Sequence, residues 1–196
     1  ISFADATFRD DASFRQATFE YVTFEGAQFT AGSDFEHTDF SGNARFDGAT
    51  FQQMADFDEA RFDDDASFED VRFMQLAEFR GVEFNGGSRT TNDDVTFEGA
   101  VFESEADYKL AHFRFADFKD ATFKGQVNFD RATFTARADC HRVQVADELD
   151  LACATFEDEV EFSESSFGDD VIAVETEFQG DATFDEVTFD ARARFD

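Results

Sequence analysis

Phenylalanine recurs along this chain every five or six residues, and this spacing limits the fold more than any other feature. From Phe3 to Phe84 the two intervals mostly alternate, and the rhythm resumes at Phe97. Of the 31 phenylalanines only Phe115 lies off the series. A small or aliphatic residue generally precedes each site by two positions, and the sites without Phe hold Tyr108, Cys140, Val145, Leu151 and Ala173. One short unit has therefore been copied many times.

This spacing excludes the simple regular structures. On an α-helix, residues two apart point roughly 160° away from each other, so no single apolar stripe forms. A right-handed coiled coil needs apolar residues three or four apart. In an extended strand, residues i−2 and i share a face, but a step of five inverts that phase. A chain that turns a corner after each short extended piece satisfies the pattern, which predicts a stacked solenoid.

Units such as ATFRD, ATFEY, GATFQ, DATFK and DEVTF resemble those of the pentapeptide-repeat proteins, and the resemblance covers essentially the whole chain. It implies an all-β, right-handed quadrilateral β-helix with four units per coil. The chain departs from the family's A-(D/N)-L-x-x unit because Phe replaces Leu, Thr or Ser often precedes it, and units of five and six alternate. We expect about nine coils and a rod of about 43 Å at roughly 4.8 Å per strand.

We interpret residues 1–196 as a single solenoid that is part of a longer chain, with Phe as its core. The representative core positions are Phe3, Phe8, Phe14, Phe19, Phe24, Phe29, Phe51, Phe62, Phe73, Phe84, Phe123, Phe134, Phe156 and Phe189.

Two features interrupt the repeat. Residues 85–95 predict an inserted loop with two extra residues, which is either a tolerated insertion or a recognition loop carrying Arg89. In residues 138–153, Cys, Val and Leu replace Phe and predict a narrower core.

The charge is strongly acidic, with 46 Asp and Glu against 16 Lys and Arg and a net charge of −30. An acidic, lysine-poor surface suits the cytoplasm of a halophilic organism, where salt screens self-repulsion. The alternative is mimicry of DNA, because 30 net charges over about 43 Å is one per roughly 1.4 Å, against one per roughly 1.7 Å in duplex DNA. Some members of the family that the chain resembles protect DNA gyrase by resembling DNA, but here the charge is spread over all four faces and no gyrase-specific motif is present.

Lys109, Arg114, Lys119 and Lys124 follow four consecutive core sites. Four units make one coil, so these side chains should form a basic belt around the rod. Counting by coils predicts the pairs Lys119 with Glu98, Lys124 with Glu103 and Lys109 with Asp130. The belt is interpreted as charge relief within an acidic stack or, alternatively, as a docking belt for an acidic partner.

The residues do not predict an enzyme, a metal site or a cofactor. His37, His112 and His141 occupy outward positions and lack metal-ligand spacing. Cys140 takes an inward site and Cys153 an outer one, so no disulfide between them is expected. Adjacent acids, at residues 63–65 and 169–170, predict at most weak binding of divalent cations. The short units leave no room for the cleft of a polysaccharide-cleaving β-helix, and broken threonine ladders do not favour ice binding.

The sequence has no apolar run long enough to span a membrane and no basic aromatic patch for direct nucleic-acid binding. It therefore predicts a non-enzymatic repeat scaffold that binds an unknown protein partner. Open solenoid ends also favour end-to-end or dimeric association through unpaired backbone.

Overall fold

The structure of the protein, a computed structural model, describes residues 1–86 and 95–196. Within these ranges 34 two-residue strands form four parallel sheets, two with nine strands and two with eight. The chain visits the four sheets in turn and then returns to the first, one coil further on, so that Phe8 pairs with Phe29 and Phe29 with Phe51. The predicted quadrilateral β-helix is confirmed, with about eight complete turns.

We number the sheets as faces 1 to 4 in chain order. Face 1 contains Thr7–Phe8, Gln28–Phe29, Thr50–Phe51, Arg72–Phe73, Val101–Phe102, Thr122–Phe123, Gln144–Val145, Ser166–Phe167 and Thr188–Phe189. Face 2 contains Ala12–Ser13, Ser33–Asp34, Ala55–Asp56, Ala77–Glu78, Ala106–Asp107, Val127–Asn128, Leu149–Asp150, Val171–Ile172 and Ala193–Arg194. Face 3 contains Thr18–Phe19, Asp39–Phe40, Arg61–Phe62, Glu83–Phe84, His112–Phe113, Thr133–Phe134, Thr155–Phe156 and Glu177–Phe178. Face 4 contains Val22–Thr23, Ala44–Arg45, Ala66–Ser67, Val95–Thr96, Ala116–Asp117, Ala138–Asp139, Val160–Glu161 and Ala182–Thr183.

The core consists of four columns of aromatic rings. Within a column the rings stack nearly parallel, as in Phe40 over Phe62 at 4.4 Å between centroids, because strand stacking sets that spacing. Between columns the rings meet edge to face, as Phe46 and Phe57 do at 86°. Of the representative core positions, ten are buried, namely Phe19, Phe24, Phe29, Phe51, Phe62, Phe73, Phe84, Phe123, Phe134 and Phe156. Phe3, Phe8, Phe14 and Phe189 are partly exposed because a coil covers them from one side only.

The corners after faces 2 and 4 are tight turns. The residue two positions after the inward side chain has a positive φ, and the next amide donates a hydrogen bond back to the inward residue's carbonyl, as Ala27 N does to Phe24 O at 2.9 Å. This geometry favours glycine, which occupies the position at Gly26, Gly48, Gly81 and Gly99. Other described turns of this kind hold L-residues there, such as Leu110 at φ 60° and Cys153 at φ 55°.

The interval from Phe84 to Phe97 joins two consecutive faces of the rod. Glu83–Phe84 lies on face 3 and Val95–Thr96 on face 4, which follow each other in every coil. The inward residues flanking this corner are 13 positions apart, against five or six at the other corners from face 3 to face 4. The expectation of two extra residues was therefore wrong, because it assigned two units to this interval. Residues 87–94, including Arg89, lie outside the described residues.

The narrower core expected at residues 138–153 contains a cavity. Cys140, Val145 and Leu151 are buried and replace three of the four rings of one coil. They help to line a cavity of about 20 Å³ whose walls are apolar. Only the column on face 3 keeps its ring in this coil, with Phe134 stacked on Phe156 at 4.6 Å. Across residues 1–86 and 95–196, no helix has the length and apolar character needed to cross a membrane.

Candidate functional site: the outward charge columns

The outward side chains of face 2 form an acidic ladder. Asp34, Asp56, Glu78 and Asp107 are in register on successive strands, and each is half-buried. Asp34, Asp56 and Asp107 also accept a hydrogen bond from the amide two residues later, at 3.0, 2.9 and 3.0 Å. Such bonds are typical of Asp before a turn. The same local preference that shapes each corner therefore stacks carboxylates along the rod.

Burial disfavours the charged form of three of these carboxylates, Asp56, Glu78 and Asp107, and raises their pKa. For Asp56 burial is the main cause, the amide of Asp58 opposes it, and the charges of Asp58 and Asp34 add to it. Burial likewise raises the pKa of Glu78 and Asp107, while the charge of Arg80 opposes it in both. Ionised carboxylates on this ladder therefore destabilise the folded rod.

Two groups on this face bring three carboxylates together and could hold a divalent cation. Asp34, Glu36 and Asp56 form one group, and Asp56, Asp58 and Glu78 form the other, with ligand oxygens within 4.8 Å. Arginines already neutralise part of each group. Arg15 binds Glu36 through both carboxylate oxygens, and Arg80 lies 2.6 Å from Asp58 and 2.7 Å from Glu78. These groups join residues of different coils, so runs of adjacent acids in the sequence did not reveal them.

The basic belt lies on one coil, with Lys109, Arg114, Lys119 and Lys124 on faces 2, 3, 4 and 1 respectively. The three predicted cross-coil pairs are confirmed: Lys109–Asp130 at 2.6 Å, Lys119–Glu98 at 3.1 Å and Lys124–Glu103 at 2.8 Å. The guanidinium of Arg114 lies 5.6 Å from the ring centroid of Phe115, the phenylalanine that lies off the series.

Cross-coil hydrogen bonds shift the pKa of two groups, Glu103 and Lys119, toward their charged forms. The bond from Lys124 lowers the pKa of Glu103, and the bond to Glu98 raises the pKa of Lys119. These are exposed pairs, which contribute little stability individually.

Charge relief across coils extends beyond the belt. Arg142 donates two hydrogen bonds of 2.6 Å to Asp120, 22 residues earlier, and this contact lowers the pKa of Asp120. Arg137 lies 3.2 Å from both Asp139 and Glu161. The sequence did not lead us to predict these pairs, although the opposite charges of Arg142 and Asp120, one coil apart, do indicate theirs.

A family model described as pentapeptide repeats (9 copies) matches residues 1–39, 35–83, 53–92, 97–144 and 154–196. The chain belongs to the pentapeptide-repeat family. The matched segments leave out residues 93–96 and 145–153, and the second gap contains Val145 and Leu151, two of the five core sites without Phe. A search of curated proteins gives no match for this pentapeptide-repeat chain.

The histidines and cysteines of this pentapeptide-repeat chain are dispersed. His37 lies at a corner, 3.3 Å from both Glu36 and Glu59. His141 is less exposed than its outward position predicts, and its Nδ1 is enclosed without a hydrogen-bond partner among the described residues. Cys140 is buried, which raises the pKa of its thiol well above the usual range, and Cys153 is a half-buried free thiol.

Proposed function

We propose that this protein is a non-enzymatic scaffold that presents a rigid acidic surface to a protein partner in a salt-rich cytoplasm. The supporting observation is the fixed array of outward side chains on four flat faces around one stacked core. A preorganised surface loses little conformational entropy on binding. Membership of the family supports a repeat scaffold or interaction module in general terms.

The acidic ladder of face 2 supports adaptation to high salt. Successive carboxylates of one ladder lie about 4.8 Å apart, so their repulsion falls most strongly when the Debye length becomes shorter than that spacing, which occurs in molar salt. The bases offset only part of the charge, which leaves a net −30. The belt residues Lys109, Arg114, Lys119 and Lys124 serve in this proposal as charge relief within the stack.

Circular dichroism between molar and millimolar KCl tests the salt dependence. We expect β-structure to be lost at low salt. A variant in which Asp34, Asp56 and Asp107 become Asn and Glu78 becomes Gln should keep its structure to lower salt. A spectrum of the unmodified chain that does not change over this range would contradict the proposed adaptation.

Mimicry of DNA is the second candidate, favoured by the linear charge density. A pull-down with the full-length protein from its own organism's lysate, in molar KCl, separates the two candidates. Recovery of gyrase or another DNA-binding enzyme that duplex DNA displaces would favour mimicry. Recovery of a partner that duplex DNA does not displace would favour the scaffold.

A further inference from the structure

The charge is distributed unequally over the four faces. For each strand, the count includes the two outward residues on either side of the core-column residue. Examples are Thr7 and Arg9 around Phe8 on face 1, and Ser13 and Arg15 around Phe14 on face 2. Face 1 carries three bases and two acids at these positions, a net charge of +1. Face 2 carries nine acids and four bases (−5), face 3 six acids and two bases (−4), and face 4 eight acids and two bases (−6). One side of an otherwise acidic rod is therefore close to neutral.

The outward surface of face 1 is mostly uncharged and polar, with a few aliphatic side chains. Interface centres are similarly depleted of charge. The acids of the adjacent corners flank this strip on both sides, for example Asp120 and Glu164 on one side and Asp147 and Asp169 on the other. The uncharged outward residues are Thr7, Gln28, Thr30, Thr50, Gln52, Met74, Val101, Thr122, Gln144, Ala146, Ser166, Gly168 and Thr188, all half-buried or exposed.

The five charges of face 1 have an order along the rod. Arg9 follows the first strand of the sheet and Asp190 the ninth. Glu103 follows the fifth strand and lies 3.5 Å from Arg72 and 2.8 Å from Lys124. An antiparallel second copy would place Arg9 of each chain opposite Asp190 of the other. A parallel copy would place like charges together.

We propose that face 1 binds face 1 of a second copy of this chain, with the two rods antiparallel and side by side. The two-fold axis passes near Val101 on the fifth strand, the one aliphatic outward residue among the strands of this sheet. The other three faces repel a second copy, because each carries a net charge of −4 or below. This inference rests on the proposed acidic rod in high salt, since salt must screen the acids at the two margins.

Sedimentation equilibrium of the full chain in molar KCl tests the dimer, with circular dichroism on the same samples to show that the chain is folded. Thr122 on face 1 and Thr133 on face 3 form a matched pair, because both are half-buried, precede an inward Phe and lie on opposite faces of one coil. We expect a dimer whose Kd rises about tenfold or more in Thr122→Glu and stays unchanged in Thr133→Glu. A folded monomer in molar KCl, or equal effects of the two variants, would overturn the proposal.

Charge reversal tests the antiparallel arrangement. Arg9 and Asp190 are both exposed, so their substitution should leave the core intact. Arg9→Glu should weaken the dimer, and the double variant Arg9→Glu/Asp190→Arg should restore it. Failure of the second change to restore association would rule out this arrangement. If the rod is monomeric in molar KCl but unfolds at low salt, the dimer alone is overturned. If a dimer forms and its circular dichroism does not change with salt, the proposed salt adaptation is overturned.

Discussion

The described residues of 24–86 and 95–134 and the coil containing Cys140, Val145 and Leu151 share one backbone geometry but have different cores. In the first region rings stack in all four columns, whereas in the second three columns lose their ring beside a cavity of about 20 Å³. The strand Gln144–Val145 nevertheless pairs in register with both neighbours on face 1. Backbone pairing therefore does not require the stacked rings, which add stability to a register already fixed by unit length and hydrogen bonds.

The two regions also differ at their corners and on their surface. All four positive-φ glycines of the corners after faces 2 and 4 lie between Gly26 and Gly99, whereas Arg142 and Cys153 hold the equivalent positions near the cavity. The acidic ladder of face 2 belongs to the ring-stacked region. Near the cavity, the neighbours of Asp150 in the same column are Asn128 and Ile172. The ring-stacked region therefore has the core with the more complete ring stacks, but repulsion between its stacked carboxylates destabilises it more.

The largest expected effect is the loss of a stacked ring. Phe57 is fully buried between Phe35 at 4.6 Å and Phe79 at 4.9 Å. Phe57→Ala should lower the free energy of unfolding by about 3–5 kcal/mol. Val145→Ala, beside the existing cavity, should cost about 2 kcal/mol or less. Denaturant unfolding measures both, and equal losses would contradict a special contribution of the stacks.

Filling the cavity should have a smaller and opposite effect. Val145→Phe places a ring in the face 1 column between Phe123 and Phe167, where it should add about 1 kcal/mol of stability. Val71→Phe is the control, because Val71 is fully buried in the ring-stacked region, and overpacking there should cost about 1–3 kcal/mol. Thermal unfolding of the two variants checks the sign. Destabilisation by both would mean that the cavity cannot accommodate a ring.

Substitutions at the positive-φ corner positions should change the stability of the rod by amounts similar to or smaller than filling the cavity does. Gly48 has φ 65°, and no atom lies within 4 Å of where a Cβ would stand. Gly48→Ala should therefore cost about 1 kcal/mol from backbone conformation alone. Cys153→Gly near the cavity should stabilise the rod by about 0.5–1 kcal/mol, because it relieves the same conformation. Chemical denaturation measures both changes, and a stabilising Gly48→Ala would contradict this account.

The smallest expected effect concerns the acidic ladder and its pH dependence. Burial raises the pKa of Asp56 in the folded state. As the pH falls, this carboxylate therefore binds a proton at a higher pH in the folded chain than in the unfolded chain. The destabilisation is thus present at neutral pH and is relieved as pH falls through the raised pKa. Asp56→Asn should stabilise the rod by no more than about 1 kcal/mol at neutral pH and reduce the gain on acidification.

Asp150→Asn is the matched control for this variant, because both side chains accept a hydrogen bond of 2.9 Å from the amide two residues later. It should stabilise the rod less, since Asn128 and Ile172 replace acids beside it. Unfolding measured at several pH values compares the two variants. A larger gain from Asp150→Asn would show that the stacked acids are not the source of the cost.

The sequence by itself determined which residues point inward, because a step of five or six fixes the phase of each unit. It also determined the three cross-coil ion pairs of the belt, since four units separate partners such as Lys119 and Glu98. The tertiary structure decided the face on which each unit lies. The interval from Phe84 to Phe97 could be counted as one unit or two until strand pairing was known.

The assignment of units to faces also shows that face 1 is nearly neutral whereas faces 2 to 4 are acidic. The overall composition does not reveal this difference. The positive φ at Leu110 and Cys153 also followed only from the structure, because closure of a square coil imposes a turn whatever residue occupies its corner. Local spacing thus fixes the direction of a side chain, whereas the neighbours it meets depend on how whole coils stack.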